Sequence, residues 1–168
     1  MEIALLLILC SFSGSLLVLA QTSLTDNDRR ELLDAHNHFR RIVSPSASNM
    51  IKMVKSFTLE FSSQLLHSTT SQSVHSKLAF FLQEWSSQLE AIALQYAQNC
   101  NFNHNPNRNS EPSSYDSVGE NIYATSGAIN YRAAVEAWYN EVNDPGYDYE
   151  NRRCRGPDPT ACLHYTQV

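Results

Sequence analysis

The sequence is poor in basic residues, with 12 lysines and arginines against 17 aspartates and glutamates and a formal net charge of −5. Proteins that bind nucleic acid take much of their affinity from a basic surface, so this composition argues against a nucleic-acid partner. No Asn-x-Ser/Thr acceptor occurs, and N-glycosylation is therefore not expected. No serine stands in a G-x-S-x-G context, and the sequence offers no candidate for a catalytic nucleophile.

Long apolar runs are absent after the first twenty residues, MEIALLLILCSFSGSLLVLA. This run is apolar and places Val18 and Ala20 at the spacing of a cleavage site, which is typical of a signal peptide cleaved after Ala20. Its N-terminal end departs from that pattern, because it lacks a lysine or arginine. An uncleaved signal anchor is the alternative. We predict residues 1–20 to be a signal peptide, the mature protein to be secreted, and no transmembrane segment to remain after cleavage.

Cysteine is scarce as well. Of the four cysteines, Cys10 lies in the predicted signal peptide, so the mature chain would keep three. An odd number of cysteines in an oxidising compartment predicts one thiol without an intramolecular partner.

What the sequence does contain is three amphipathic patterns of helical period, in DRRELLDAHNHFRRIV, EWSSQLEAIALQYAQNC and AINYRAAVEAWYNEV. Thr25 is the predicted N-cap of the first helix, with Asp28 as its capping-box partner. The apolar stripe of that helix comprises Leu32, Leu33, His36, Phe39, Ile42 and Val43. We expect an irregular or strand-like stretch around residues 121–123 and a strand in the closing CLHYTQV, where apolar and polar residues alternate.

The segment from residue 54 to residue 83 does not follow these patterns. It is rich in serine and threonine, carries no turn signals, and its apolar residues keep no steady period.

Five pieces of the chain resemble the CAP superfamily of cysteine-rich secretory, antigen 5 and pathogenesis-related-1 proteins. They are LLDAHNHFRRIVSPSASNM, EWSSQLEAIALQYAQNCNFNH, VGENIYA, AVEAWYNEV and CLHYTQV, and they occur in the family's order. The resemblance implies an α+β fold, an α–β–α sandwich with helices on both faces of a small antiparallel sheet. Residues 21–168 would form a partial domain of this type.

The chain departs from the family pattern in two places. Joining Met53 directly to Glu84 restores a family-like sequence, so the thirty residues 54–83 are extra. Their edges can be encoded as a splice donor and acceptor, which indicates a retained intron; a genuine loop is the alternative. Relatives also continue beyond the HYTQV stretch, so we expect a sandwich that is incomplete at the C-terminus, through a second intron, an incomplete gene assembly or a partial clone.

Four side chains match the family's central cleft, namely His104, Glu120, Glu141 and His164. Two imidazoles and two carboxylates in one cavity would suit zinc or another divalent cation. Simpler roles stay open for each: Glu120 as an acceptor for loop backbone, Glu141 as a solvated carboxylate, His104 as an exposed side chain, and His164 as one left without support near the chain end. We interpret His36 as a packing residue and not as a ligand.

The resemblance also implies a disulfide between Cys154 and Cys162. Cys100 would then be the unpaired thiol, and a disulfide-linked dimer through Cys100 is expected.

Three functions are compatible with these residues. The first is a secreted, non-catalytic binding module or effector, for a sterol or other lipid or for an extracellular protein, as the resemblance implies. The second is a zinc-dependent hydrolase in which Glu120 or Glu141 is the base. The third is a truncated isoform without function.

Overall fold

The computed structural model of the chain describes residues 2–4, 23–45, 53–54, 83–111, 115–126 and 128–168. Three α-helices lie within this part of the chain: α1 (Asp26–Ile42), α2 (Ser87–Ala97) and α3 (Tyr131–Asn140). The strands are β1 (Glu2–Ala4), β2 (Met53–Val54), β3 (Gln83–Glu84), β4 (Val118–Glu120), β5 (Tyr147–Asp148) and β6 (Arg153–Cys154). None of the described helices has the length and apolar character that crossing a bilayer requires.

Helix α1 begins where the sequence predicts. The Thr25 hydroxyl accepts from the Asp28 backbone N–H at 3.2 Å, and the Asp28 carboxylate accepts from the Thr25 backbone N–H at 2.7 Å. These two bonds satisfy amide groups that have no partner inside the helix. The helix ends at Ile42, three residues before Pro45, whose ring cannot continue a helix.

The main core lies between α1 and α3. Leu32, Phe39, Val135 and Trp138 are each 5% exposed or less and belong to one apolar cluster. The predicted stripe of α1 is confirmed for five of its six members, since Ile42 alone is half exposed. Burial of this stripe supplies most of the free energy that holds the two helices together.

Helix α2 is joined to α1 by polar side chains. The Arg29 guanidinium donates to both carboxylate oxygens of Glu90, at 2.8 and 2.6 Å, and the Trp85 indole donates to the same carboxylate at 2.7 Å. The Ser86 hydroxyl caps the helix by accepting from the Leu89 backbone N–H at 3.3 Å. This arrangement fixes α2 beside the N-terminal end of α1.

The strands form three separate pairs. β1 pairs with β4 and β2 pairs with β3, both in parallel, and β5 pairs with β6 antiparallel. The α+β class is therefore confirmed, but within the described residues the expected antiparallel arrangement is limited to β5–β6. β1 belongs to the predicted signal peptide; the rest of that segment lies outside the described residues.

The two ends of the extra segment lie beside each other in the β2–β3 pair. Met53 lies opposite Gln83, and Val54 opposite Glu84, in the β2–β3 pair. Residues 55–82 lie outside the described residues, so the hypothesis of a retained intron stays a prediction.

The predicted C-terminal strand is wrong. Residues 165–167 form a 3₁₀ turn, in which the Gln167 and Val168 amides bond to carbonyls three residues earlier, at 3.0 and 3.2 Å. Cys162, Tyr165 and Val168 are buried, which is the three-residue spacing of that helix and not the two-residue spacing of a strand. The apolar–polar alternation of CLHYTQV misled the prediction because both periods fit so short a stretch.

Candidate functional site

The first histidine of the predicted cleft is held by a buried carboxylate. His104 lies in the loop after α2, and its Nδ1 is 2.6 Å from Glu120 Oε1 at the end of β4. The Asn105 backbone N–H donates to the same oxygen at 3.0 Å. The Glu120 side chain is 3% exposed, whereas the His104 side chain is 53% exposed. Glu120 therefore acts both as an acceptor for loop backbone and as a cleft residue.

The second histidine is held in the same way. His164 Nδ1 is 2.7 Å from Glu141 Oε1, and Glu141 directly follows the last residue of α3. Glu141 Oε2 accepts from the Tyr165 backbone N–H at 3.3 Å. Glu141 is thus engaged by the C-terminal segment and is not simply a solvated carboxylate.

The two pairs face each other. The centroids of the His104 and His164 rings are 6.4 Å apart, with an angle of 33° between the ring planes. The four side chains that the resemblance implied are therefore brought together, although His104 and His164 are sixty positions apart in the sequence. His164 is supported despite its place near the last residue of the chain.

Two residues that sequence reasoning missed hold His164 in place. The Asn121 side-chain amide donates to the His164 carbonyl at 3.0 Å, and the Trp138 ring stacks at 6.5 Å from the imidazole. Asn121 is fully buried, and its Oδ1 has no hydrogen-bond partner among the described residues. Its position directly after Glu120 is the one signal in the sequence that could have identified it.

The two carboxylates determine which nitrogen of each imidazole is available to bind a metal ion. A carboxylate can only accept, so each neutral imidazole donates from Nδ1 to its glutamate and keeps the Nε2 lone pair. This carboxylate–imidazole arrangement is the one that orients histidine ligands of metals. Two histidine nitrogens are zinc ligands by type, and the donor chemistry of the cleft therefore fits this ion.

The fit is limited to two protein ligands. Within the part of the chain that the structure describes, no group of three or more His, Cys, Asp or Glu side chains is placed to hold a metal. An ion in the cleft would take its remaining ligands from water or from a bound molecule.

His36 is not part of the cleft. It is 1% exposed, and its Nδ1 donates to the Leu32 carbonyl at 2.8 Å within α1. The interpretation of His36 as a packing residue agrees with this position.

Cys154 and Cys162 are joined by a disulfide that closes the loop after β6. The prediction of an unpaired thiol at Cys100 is wrong, because Cys100 is disulfide-bonded in the structure and the described residues include no free cysteine. The odd count that led to it assumed that Cys10 was lost. The dimer through Cys100 was expected for the chain without its leader and stays a prediction.

Fold and site together define a small α+β domain built around a cleft of two histidines and two glutamates. Residues 33–168 match the cysteine-rich secretory protein family, known as CAP, and the chain belongs to that family.

Several curated proteins are similar to the chain. Cysteine-rich secretory protein LCCL domain-containing 1 of Mus musculus is 34% identical over 156 residues, which cover 87% of this chain and 23% of that protein. Glioma pathogenesis-related protein 1 of Mus musculus is 30% identical, with coverage of 83% and 41%. Cysteine-rich secretory protein 3 of Homo sapiens is 30% identical, with coverage of 83% and 42%. The chain spans less than half the length of these relatives, and no solved structure matches it.

Proposed function

We propose that this CAP-domain chain is a secreted, non-catalytic binding protein whose cleft binds a divalent cation. Zinc is the cation that we expect. The observation that carries the proposal is the pair of short bonds from His104 and His164 to Glu120 and Glu141, at 2.6 and 2.7 Å. These bonds leave both Nε2 atoms as the ligands. A bound zinc ion would supply a positive charge and an open coordination position for an oxygen or nitrogen of the partner molecule.

Secretion is supported by the apolar leader that ends at Ala20 and by the family to which the chain belongs. We infer cleavage at that position and action outside the cell.

A binding role is favoured over hydrolysis by the use of the carboxylates. Glu120 accepts from His104 and from the Asn105 backbone, and Glu141 accepts from His164 and from the Tyr165 backbone. A general base has to accept a proton from water within hydrogen-bond reach. Both candidates already act as acceptors for the protein itself, so their geometry serves orientation of the imidazoles.

The partner is an extracellular protein or a lipid such as a sterol, and exposed apolar side chains next to the two histidines in the sequence support this. Phe102 is 63% exposed and Leu163 is 45% exposed, and they precede His104 and His164 by two residues and by one residue. We infer that a partner bound at the cleft covers these two side chains.

Zinc titration of the secreted protein by isothermal calorimetry tests the proposal. We expect one saturable site that is lost in His104→Ala and in His164→Ala, and an affinity about 10- to 100-fold lower in Glu120→Gln. His38→Ala is the matched control, because His38 lies on α1 outside the cleft, and its affinity should equal that of the unmodified protein.

Two outcomes would contradict the proposal. Absence of saturable zinc binding, or equal weakening in His38→Ala, would remove the cleft as the metal site. Zinc-dependent hydrolytic turnover that disappears in Glu120→Gln would overturn the non-catalytic assignment.

A further inference from the structure

A second concave site lies on the side of α2 that faces the loop after it. It is a hollow of about 210 Å³. Its walls come from the end of α2 and from the loop that carries Asn105, and none of the four cleft side chains lines it. The polar lining residues are Gln95, Tyr96, Asn99, Asn105, Asn107 and Glu111.

The loop wall of this hollow is held rigidly. Asn105 is 2% exposed. Its side-chain Nδ2 donates to Glu111 Oε2 at 3.1 Å, and its side-chain Oδ1 accepts from the Asn107 backbone N–H at 2.9 Å. Its own backbone N–H is fixed on Glu120 at 3.0 Å. Because every one of these groups is satisfied, the shape of the wall does not depend on a ligand.

Three polar side chains of the lining keep their hydrogen-bonding groups available for a ligand. Within the described residues, the side-chain amides of Gln95, Asn99 and Asn107 form no hydrogen bond. Each amide offers two N–H donors and one carbonyl acceptor. Three such groups at one hollow match a ligand that both donates and accepts at several neighbouring atoms.

The charge and the size of the hollow narrow the ligand class. Glu111 is the charged residue of the lining and it only accepts, so anionic ligands are disfavoured and hydroxyl donors are favoured. The volume is below the ~300–1,000 Å³ of pockets that hold drug-sized molecules. A single sugar ring satisfies both conditions. We propose that this hollow binds one neutral hexose unit of a carbohydrate.

The site is separate from the cleft, so the inference goes beyond the proposed function and does not depend on it. Titration of the ¹⁵N-labelled full chain with N-acetylglucosamine, and separately with methyl mannoside, tests it by NMR. We expect saturable shifts of the Gln95, Asn99 and Asn107 side-chain amide signals with at least one sugar, with Kd on the order of millimolar.

Variants decide whether the hollow itself is responsible. Gln95→Ala should weaken sugar binding by about 3- to 10-fold, the value of one hydrogen bond. Gln95 is exposed on α2, so the variant keeps the fold. Asn143→Ala removes an equally exposed amide after α3 and should leave the affinity unchanged.

Three results would overturn the proposal. One is the absence of saturable shifts with both sugars. The second is an affinity that Gln95→Ala does not change. The third is a set of shifts at Glu111 and its neighbours with calcium chloride but with neither sugar, which would make the hollow a cation site.

Discussion

His36 is a buried residue whose protonation would destabilise the fold. Burial lowers its pKa to about 4, against an ordinary value of 6.5, and the nearby Arg40 guanidinium acts in the same direction. Its Nε2 has no hydrogen-bond partner among the described residues. Protonation would therefore place a charge in the α1–α3 core with nothing to compensate it.

This arrangement predicts a loss of stability in mild acid. Above pH 6.5 His36 is neutral in both the folded and the unfolded chain, and between pH 6.5 and about 4 only the unfolded chain takes up the proton. The free energy of unfolding should fall over this window by about 3 kcal/mol from this residue. Urea denaturation at several pH values in the window measures it.

The substitution His36→Gln keeps an amide donor for the Leu32 carbonyl and removes the titration. The slope of stability against pH should be smaller in this variant than in the unmodified protein. His38→Gln is the control, since His38 is not fully buried, and it should keep the full slope. Equal slopes in His36→Gln and the unmodified protein would contradict the assignment.

Single residues differ in how far the sequence predicts them. The burial of His36 follows from the helical stripe, because its neighbours in α1 fix the face on which it lies. The cleft residues have no such local signal, since His104, Glu120, Glu141 and His164 lie on separate elements. Only the family resemblance brought them together. The bonding state of Cys100 depends on a partner elsewhere in the chain, and counting cysteines gave the wrong result.

At the scale of elements, one carboxylate makes the polar contact between α1 and α2. Hydrogen bonds from Arg29 lower the pKa of Glu90, and the Trp85 indole adds to the effect. The Glu90 side chain is 10% exposed and that of Arg29 is 22% exposed, so this pair is shielded more than an ordinary surface ion pair.

We expect Glu90→Gln to lower the free energy of unfolding by about 1.5–3 kcal/mol at neutral pH, because the guanidinium loses its charged acceptor. A lowered carboxyl pKa stabilises the fold above the unfolded value of 4.5 and ceases to do so as the pH falls through the folded value. The difference between the variant and the unmodified protein should therefore shrink below pH 4.5. Denaturant titrations at pH 7 and in acid measure both effects.

The same arginine provides the control for that prediction. Asp26 also accepts from Arg29, at 3.0 Å, but its side chain is 72% exposed. Asp26→Asn should cost no more than about 1 kcal/mol. A cost as large as that of Glu90→Gln would show that burial of the pair is not what matters.

The helices, which are determined by residues close together in the sequence, were predicted well. The capping box of Thr25 and the apolar stripes place the helices, since both signals lie within a few residues of the structure they determine. The pairing of strands was not predictable, because β4 pairs with a segment more than a hundred residues earlier in the chain. The C-terminal 3₁₀ turn was mistaken for a strand for the reason given above.

At the scale of the molecule, the extra segment is the feature most easily removed. Met53 and Glu84 are one residue out of register in the parallel β2–β3 pair, so a strand spacing of ~4.8 Å and a rise of ~3.3 Å per residue place them ~6 Å apart. One peptide unit spans ~3.8 Å. Deleting residues 54–83 joins Met53 to Glu84 after the two ends move together by ~2 Å.

We expect the deletion variant to keep the helical circular dichroism signal and to be at least as stable as the full chain. Closing a loop of this length costs on the order of 3 kcal/mol, which the deletion removes. Thermal unfolding and limited proteolysis provide the measurement. Loss of the helical signal would show that the segment is a necessary part of the domain, and the hypothesis of an intron-derived insertion would then fail.

Strand β4 carries Glu120, and its one strand neighbour in the described structure is Glu2–Ala4. The expected leader cleavage would therefore expose three residues of unpaired backbone directly beneath the cleft. Before cleavage, the leader strand covers the backbone edge of β4. After cleavage, this edge must pair with another segment or remain exposed to solvent.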